Sequence, residues 1–277
     1  MQTVKLPSGE LVSAFGLGTW RMGDDPALRA EEIATLQLGL DRGATLIDTA
    51  EMYGEGRAEE LVGEAIYDRR SQAFVVSKVY PHNASRKGMV AACERSLRRL
   101  RTGHLDLYLL HWRGDVPLAE TLEAFEQLLR AGKIRHYGVS NLDLADMEEV
   151  WTLEGGQAIA TNQLLYNLTR RGIELDLLPW LRQHDVPVMA YSPIEQARLV
   201  RDARLTDFAR RHHRTAAQVA LSWLLAANDI IVIPKTGDRV RLRENLSALD
   251  RPLTAEQCAE LDRLFPQPSA PCPLEML

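Results

Sequence analysis

Little in this chain of 277 residues points to a stapled, membrane-bound or nucleic-acid-binding protein. There are only three cysteines, Cys93, Cys258 and Cys272. Their odd number and their spacing fit neither a disulfide framework nor a metal site, so they predict free thiols in a reducing compartment. Charge of one sign is also missing. The 33 basic and 38 acidic residues are interspersed and leave a net charge of -5, which argues against DNA or an anionic membrane surface as the main partner. No apolar run is long enough to span a bilayer; the longest, Ala216 to Ala227, is broken by Gln218 and Ser222. Met1 to Glu10 lacks the apolar core of a signal peptide, and a cytoplasmic protein is expected. Finally, no Gly-x-Gly-x-x-Gly and no phosphate-loop pattern occurs: Gly16-Leu17-Gly18 is followed three residues later by Arg21. A doubly wound dinucleotide fold is thereby disfavoured, and any nucleotide must be held by other means.

What the chain does have is a repeated alternation of short apolar runs and amphipathic stretches. Strand-like runs end near Gly18, Asp48, Lys78, His111, Ser140, Gln163, Ser192 and Pro234. Between the earlier ones lie the amphipathic stretches Glu31 to Leu40, Ala58 to Tyr67, Gly88 to Leu100 and Leu118 to Leu129. Runs such as Leu105 to Leu110 are apolar throughout, as suits strands buried on both faces of a parallel sheet. Eight such units predict an α/β (β/α)8 TIM barrel. Thr3 to Leu6 and Leu11 to Phe15, joined across Pro7-Ser8-Gly9-Glu10, predict a hairpin that plugs the bottom of the barrel. Thr215 with Gln218, and Thr254 with Gln257, have capping-box spacing and predict two helix starts. No linker interrupts the pattern, so one domain is expected over 1–277, with 266–277, rich in proline, lying loosely on its surface.

Several barrel strands close on a polar or ionisable residue, which is where such barrels keep their chemistry. Asp48, Lys78 and His111 end successive strands, and Tyr53 lies in the loop after the first of them. Singly, each has a structural explanation: a cap at Asp48, a loop aromatic at Tyr53, a satisfied core histidine at His111. Together they make a proton donor for a carbonyl. A phenol near pKa 10 is a weak acid unless a cation stabilises its anion, and Lys78, held charged by Asp48, can lower it. His111 can orient a carbonyl oxygen toward the Tyr53 hydroxyl and support its developing charge. A strand-end lysine also admits a second reading, a Schiff-base nucleophile.

The order Gly16-Leu17-Gly18-Thr19-Trp20, Asp48-Thr49-Ala50, Tyr53-Gly54 and Ile233-Pro234-Lys235-Thr236 resembles the aldo-keto reductases, above all the short bacterial members that reduce small aldehydes and dicarbonyls such as methylglyoxal. The resemblance implies the catalytic set Asp48, Tyr53, Lys78 and His111, and NADP(H) bound extended across the barrel mouth. It places Ser140, Asn141 and Gln163 on the nicotinamide carboxamide and Tyr191 on its ring, with Thr19, Trp20, Asp48 and Ser192 as further cofactor contacts. Lys235, Thr236 and Arg241 match the 2′-phosphate contacts, and Glu244 and Asn245 those of the adenine. Trp20, Tyr80, His82, His111 and Trp112 are expected to wall the substrate pocket, with His82 departing from an aromatic common at that position. Ile194-Glu195-Gln196-Ala197 departs from a loop in which many members carry glycine near Ala197, and a carboxylate at Glu195 would oppose the cofactor phosphates. The implied activity is NADPH-dependent reduction of aldehydes or activated ketones, and a monomer is expected. Relatives that bind cofactor as regulatory subunits with little turnover supply the alternative.

Overall fold

The computed structural model describes residues 1–277. Its two antiparallel strands β1 (Thr3–Lys5) and β2 (Leu11–Ser13) pair Thr3 with Ser13 and Val4 with Val12. Gly9 takes φ +90° in the turn between them, a left-handed conformation that costs glycine nothing. Val4, Leu6 and Val12 are buried. The hairpin is fastened to the start of a barrel strand by Glu10, whose carboxylate accepts from Arg135 (2.8 and 2.9 Å) and pairs with His136 Nε2 at 2.6 Å.

Eight parallel strands follow: β3 (Gly16–Gly18), β4 (Leu46–Asp48), β5 (Phe74–Val79), β6 (Leu105–Leu110), β7 (Ile134–Ser140), β8 (Asn162–Leu165), β9 (Val188–Tyr191) and β10 (Ile230–Val232). They pair in chain order from β3 to β10. Bridges Phe15–Val232 and Gly18–Lys235 bring the last strand back to the first. Gly18 N donates to Pro234 O at 3.1 Å across that seam. A Cβ on Gly18 would stand 2.7 Å from Ile233 O, so the seam closes only because this position has no side chain. The strands end within two residues of the positions expected from sequence.

Helices α1 (Arg29–Asp41), α2 (Arg57–Ala65), α3 (Arg86–Leu100) and α4 (Leu118–Arg130) match the amphipathic stretches to within two residues at every end. In α4 the buried set Leu118, Thr121, Leu122, Phe125 and Leu128 recurs at the three-to-four-residue spacing that faces one stripe to the barrel. Each such leucine contributes on the order of 1.5–3 kcal/mol by leaving water. Then come α5 (Leu144–Thr152), α6 (Leu177–Gln183), α7 (Ala203–Arg211), α8 (Ala216–Leu225), α9 (Arg239–Leu246) and α10 (Ala255–Leu264). Thr215 and Thr254 form the two expected capping boxes, at α8 and α10. A core of 64 buried residues fills the barrel and its helix layer, and a satellite cluster around Phe208, Val219 and Leu261 packs α7, α8 and α10 together.

Residues 266–277 have no helix or strand and are exposed apart from the half-buried Pro268 and Leu274. Leu274 packs against the main core, Glu275 pairs with Arg170, and Met276 and Leu277 reach the mouth of the barrel. The half-buried Leu274 contact and the Arg170–Glu275 ion pair fasten this segment.

Candidate active site

Asp48 closes β4, Lys78 is the penultimate residue of β5 and His111 follows β6 directly, so all three meet at the carboxyl end of the barrel. Asp48 and Lys78 are buried, Lys78 completely. Removing an ammonium from water costs several kcal/mol unless its donors are matched. Here Lys78 Nζ donates to Asp48 Oδ2 at 2.8 Å, to Thr49 O at 2.8 Å and to the Tyr53 hydroxyl at 3.1 Å, which uses all three. Burial alone would pull the Lys78 pKa down, but the Asp48 and Tyr53 charges outweigh it and the net direction is up. A fully bonded cation of this kind has no free amine to attack a carbonyl, which argues against the Schiff-base reading.

Tyr53 opens a short turn after β4, facing the mouth. Burial raises its pKa; Lys78 lowers it and Asp48 opposes Lys78, so the net direction is up. This corrects the expectation of a depressed phenol: the mouth desolvates the phenolate more than the paired Lys78 compensates. Tyr53 therefore enters as a phenol that still carries its proton, with the cation already placed to receive the anion. The His111 ring lies edge-on to Tyr53, centroids 5.9 Å apart. Burial first, then repulsion from Lys78, pushes His111 down to about 2. Its imidazole is neutral at any working pH, and its buried Nδ1 has no partner.

A cleft of about 1460 Å³ opens over these residues, larger than the roughly 300–1,000 Å³ of an ordinary small-ligand pocket. It is lined at one end by Trp20, Tyr53, His111 and Trp112, in the middle by Ser140, Asn141, Gln163, Tyr191 and Ser192, and at the other end by Lys235, Thr236, Arg241, Glu244 and Asn245. Thr19 and Asp48 also face it. The middle group forms one network. Thr19 Oγ1 donates to Asp48 O, Gln163 Nε2 to Asp48 Oδ1 and Ser140 Oγ to Gln163 O. Asn141 Nδ2 donates to His111 O, and its Oδ1 accepts from the Tyr191 hydroxyl at 3.0 Å. Gln163 thus braces the Asp48 carboxylate, a role its position in the sequence did not reveal. Asn141 (φ +57°) and Ser192 (φ +48°) sit in the left-handed region at their strand ends, turning the chain back into the cleft.

At the far end Asp238 caps α9, accepting from Val240 N at 2.7 Å and Arg241 N at 3.0 Å. Those amides are taken, so an anion there depends on side-chain cations. Arg239 pairs with Glu31, Arg243 does not line the cleft, and the side chains of Lys235 and Arg241 make no hydrogen bond or ion pair with the rest of the chain. Two unpartnered cations beside a cleft are a donor set suited to phosphate.

Two expectations about the pocket are corrected. Tyr80 stands behind Trp112, ring planes at 88° and centroids 5.9 Å apart, and His82 stacks on Tyr80 at 4.8 Å on the exposed side. Neither lines the cleft; they buttress Trp112. Glu195 also differs. It is buried with its carboxylate turned away from the cleft, accepting from Asn167 Nδ2 (2.8 Å) and from Arg170 Nε and Nη2 (3.0 and 2.8 Å). Gln196 and Ala197 face the cleft instead. Glu195, Gln196 and Ala197 all have φ between +50° and +67°, which gives the physical reason for a glycine preference at this loop.

Sequence reading missed Arg21, Met276 and Leu277, which also line the cleft. Arg21 holds its guanidinium 4.4 Å above the Trp20 ring at φ +63°. Its place directly after Trp20 was the available signal; for the last two residues there was none, because no local pattern says where a tail folds back.

Residues 14–265 match the family described as Aldo/keto reductase family. Methylglyoxal reductase YeaE of Escherichia coli (strain K12) is 48% identical over 276 residues, covering 98% of this chain and 97% of that protein. Glyoxal reductase of Bacillus subtilis (strain 168) is 32% identical, covering 95% and 92%. An aldo/keto reductase from Klebsiella pneumoniae, crystallised in complex with NADP and acetate, superposes with a TM-score of 0.97 at 49% identity, covering 100% of this chain and 99% of that one. The barrel, the buried Asp48–Lys78–Tyr53 contact and these likenesses converge, and the chain belongs to the aldo/keto reductase family.

Proposed function

We propose that this chain is an NADPH-dependent reductase of small aldehydes and dicarbonyls, with methylglyoxal the first substrate to try. The observation that carries the reading is the mouth itself: a protonated Tyr53 backed by the buried Lys78 cation, beside a neutral His111, at one end of a cleft whose other end offers two free cations. The donor set fits the cofactor. Ser140, Asn141 and Gln163 would hold the nicotinamide carboxamide, Tyr191 would lie against the ring, and Lys235, Thr236 and Arg241 would take the 2′-phosphate, with Glu244 and Asn245 at the adenine. When bound, the reduced nicotinamide supplies the hydride to the carbonyl carbon.

The chain's own residues handle the oxygen. His111, uncharged, donates from a ring nitrogen to the carbonyl oxygen without adding a second positive charge beside Lys78. Tyr53 gives its proton to the oxygen as negative charge develops there, and Lys78 stabilises the phenolate left behind. Asp48, fixed by Gln163, keeps Lys78 charged. Trp20 and Trp112 offer flat apolar walls, and an open mouth suits several small carbonyls over one tightly fitted substrate. The reading extends to a monomer working in the cytoplasm.

The test is NADPH consumption with methylglyoxal, glyoxal and an aromatic aldehyde, matched mole for mole by the alcohol formed. Turnover of all three supports the proposal. Tight NADPH binding with no turnover of any carbonyl would replace it by the regulatory-subunit reading.

A further inference from the structure

The loop after β9, through Glu195, and the C-terminal tail, through Glu275, meet at one side chain, Arg170. Arg170 ends a tight turn after β8, in which Arg170 N donates to Asn167 O at 3.0 Å. Both ends of the turn grip the loop after β9. Asn167 Nδ2 donates to Ser192 O at 3.0 Å and to Glu195 Oε2 at 2.8 Å, while Arg170 takes Glu195 Oε1 with two nitrogens. That loop supplies Ser192, Ile194, Gln196 and Ala197 to the cleft. The remaining terminal nitrogen of Arg170, Nη1, donates to Glu275. The next two residues, Met276 and Leu277, line the same cleft near Tyr191. One guanidinium therefore touches both segments that border the cleft on this side, and the buried Glu195 fixes it on the barrel. The fork geometry matters: a lysine ammonium reaches one carboxylate well but cannot present separate edges to two.

We propose that Arg170 is a positioning residue that registers the C-terminal pair Met276–Leu277 against the loop 192–197, so that the tail wall of the substrate end is set through Glu195, Arg170 and Glu275. The inference rests on the reductase reading for its kinetic consequence, though not for its structural one. It assigns to Glu195 the task of anchoring Arg170, and it explains why a tail without secondary structure arrives at a defined place: its last anchor lies one residue before the pair that enters the cleft.

The experiment compares Glu275→Gln, removal of Met276 and Leu277, and the two combined. Glu275 is exposed, so these variants fold. Glu275→Gln and the truncation should each raise KM for an aromatic aldehyde about threefold, the scale of a half-exposed ion pair. Glu275→Gln should leave kcat and the NADPH Kd within about twofold, and the combined variant should have a KM no higher than the truncation. A second readout needs no turnover. Cys272 Sγ packs against Gly172, 2.7 Å from where a Cβ there would lie, just upstream of the anchor. In a Cys258→Ser background, Cys272 should react with a thiol reagent about threefold faster in Glu275→Gln and in Arg170→Lys than in the parent. Unchanged labelling in both variants, or Glu275→Gln and truncation effects on KM that add, would overturn the proposal. If the parent reduces no carbonyl, the reductase reading fails while the labelling rates still decide the role of Arg170.

Discussion

At Tyr53 burial and charge pull in opposite directions, and the resolution defines how the residue can act. A phenol whose pKa is raised by burial keeps its proton through neutral pH, so it is ready to give it up only when negative charge develops beside it. Lys78 makes that transfer affordable by standing 3.1 Å from the hydroxyl before the reaction begins. His111 behaves in the opposite sense to an ordinary histidine. Its folded pKa, about 2, lies below its ordinary value of 6.5. Between those values the unfolded chain binds a proton there and the folded chain does not. The stability it contributes is therefore complete above about pH 6.5 and is lost as the pH falls below it. Denaturant titrations of the parent and of His111→Gln between about pH 7 and pH 4 should show the parent losing stability more steeply toward acid; parallel slopes would mean that His111 is not held neutral by the fold. Lys78 and His111 were readable because each closes an apolar run with a group that such a run would otherwise exclude, and Tyr53 through its place in the loop after β4 together with the family resemblance. The direction of the Tyr53 shift was not readable, because it depends on how much water the assembled mouth removes.

The elements that carry the site follow from periodicity, and the parts that escaped sequence reading are those governed by distant partners. Helices α1 to α4 and both capping boxes were visible locally, since the apolar stripe and the Thr–Gln reciprocity lie within a few residues of each other. The loop after β9 was misread because nothing near Glu195 reveals that Arg170, twenty-five residues away in the chain, completes it. His82 was misplaced for a similar reason: its position is set by stacking on Tyr80, which in turn supports Trp112. At α9 the family resemblance singles out Arg241 rather than Arg239 or Arg243 as the expected 2′-phosphate contact, and the surroundings of the three arginines differ accordingly. Arg239 turns to Glu31, Arg243 faces away from the cleft, and Arg241 stays free at its edge. A charge-assisted contact to a 2′-phosphate contributes about 1.5–3 kcal/mol. Arg241→Ala should accordingly raise the NADPH KM by about tenfold or more and leave the NADH KM within about twofold. Equal effects on both cofactors would remove Arg241 from the phosphate site.

Across the whole molecule, the barrel brings together residues as far apart in sequence as Trp20 and Leu277 by ordering its strands so that their carboxyl ends share one rim. The closure between β3 and β10 was implied by eight repeated units but not by any single residue, and the return of the tail was not implied at all. Large exposed apolar side chains are few. Trp20, Leu28, Met276 and Leu277 line the cleft, and the others are Met1, Leu11, Tyr67 and Val240. No helix is long and apolar enough to cross a membrane. If the proposed monomer is right, sedimentation should give a mass near the 31.1 kDa of one chain, and a concentration-independent dimer would contradict it. The central claim is that the proton for carbonyl reduction comes from Tyr53. Its most direct test is the rate of NADPH oxidation with methylglyoxal in the parent and in Tyr53→Phe, with NADPH affinity measured on both. The account predicts that Tyr53→Phe binds NADPH within about twofold of the parent and loses at least about 10²-fold in kcat, the size of a general-acid contribution. A Tyr53→Phe protein that binds cofactor normally and turns over at the parent's rate would contradict it.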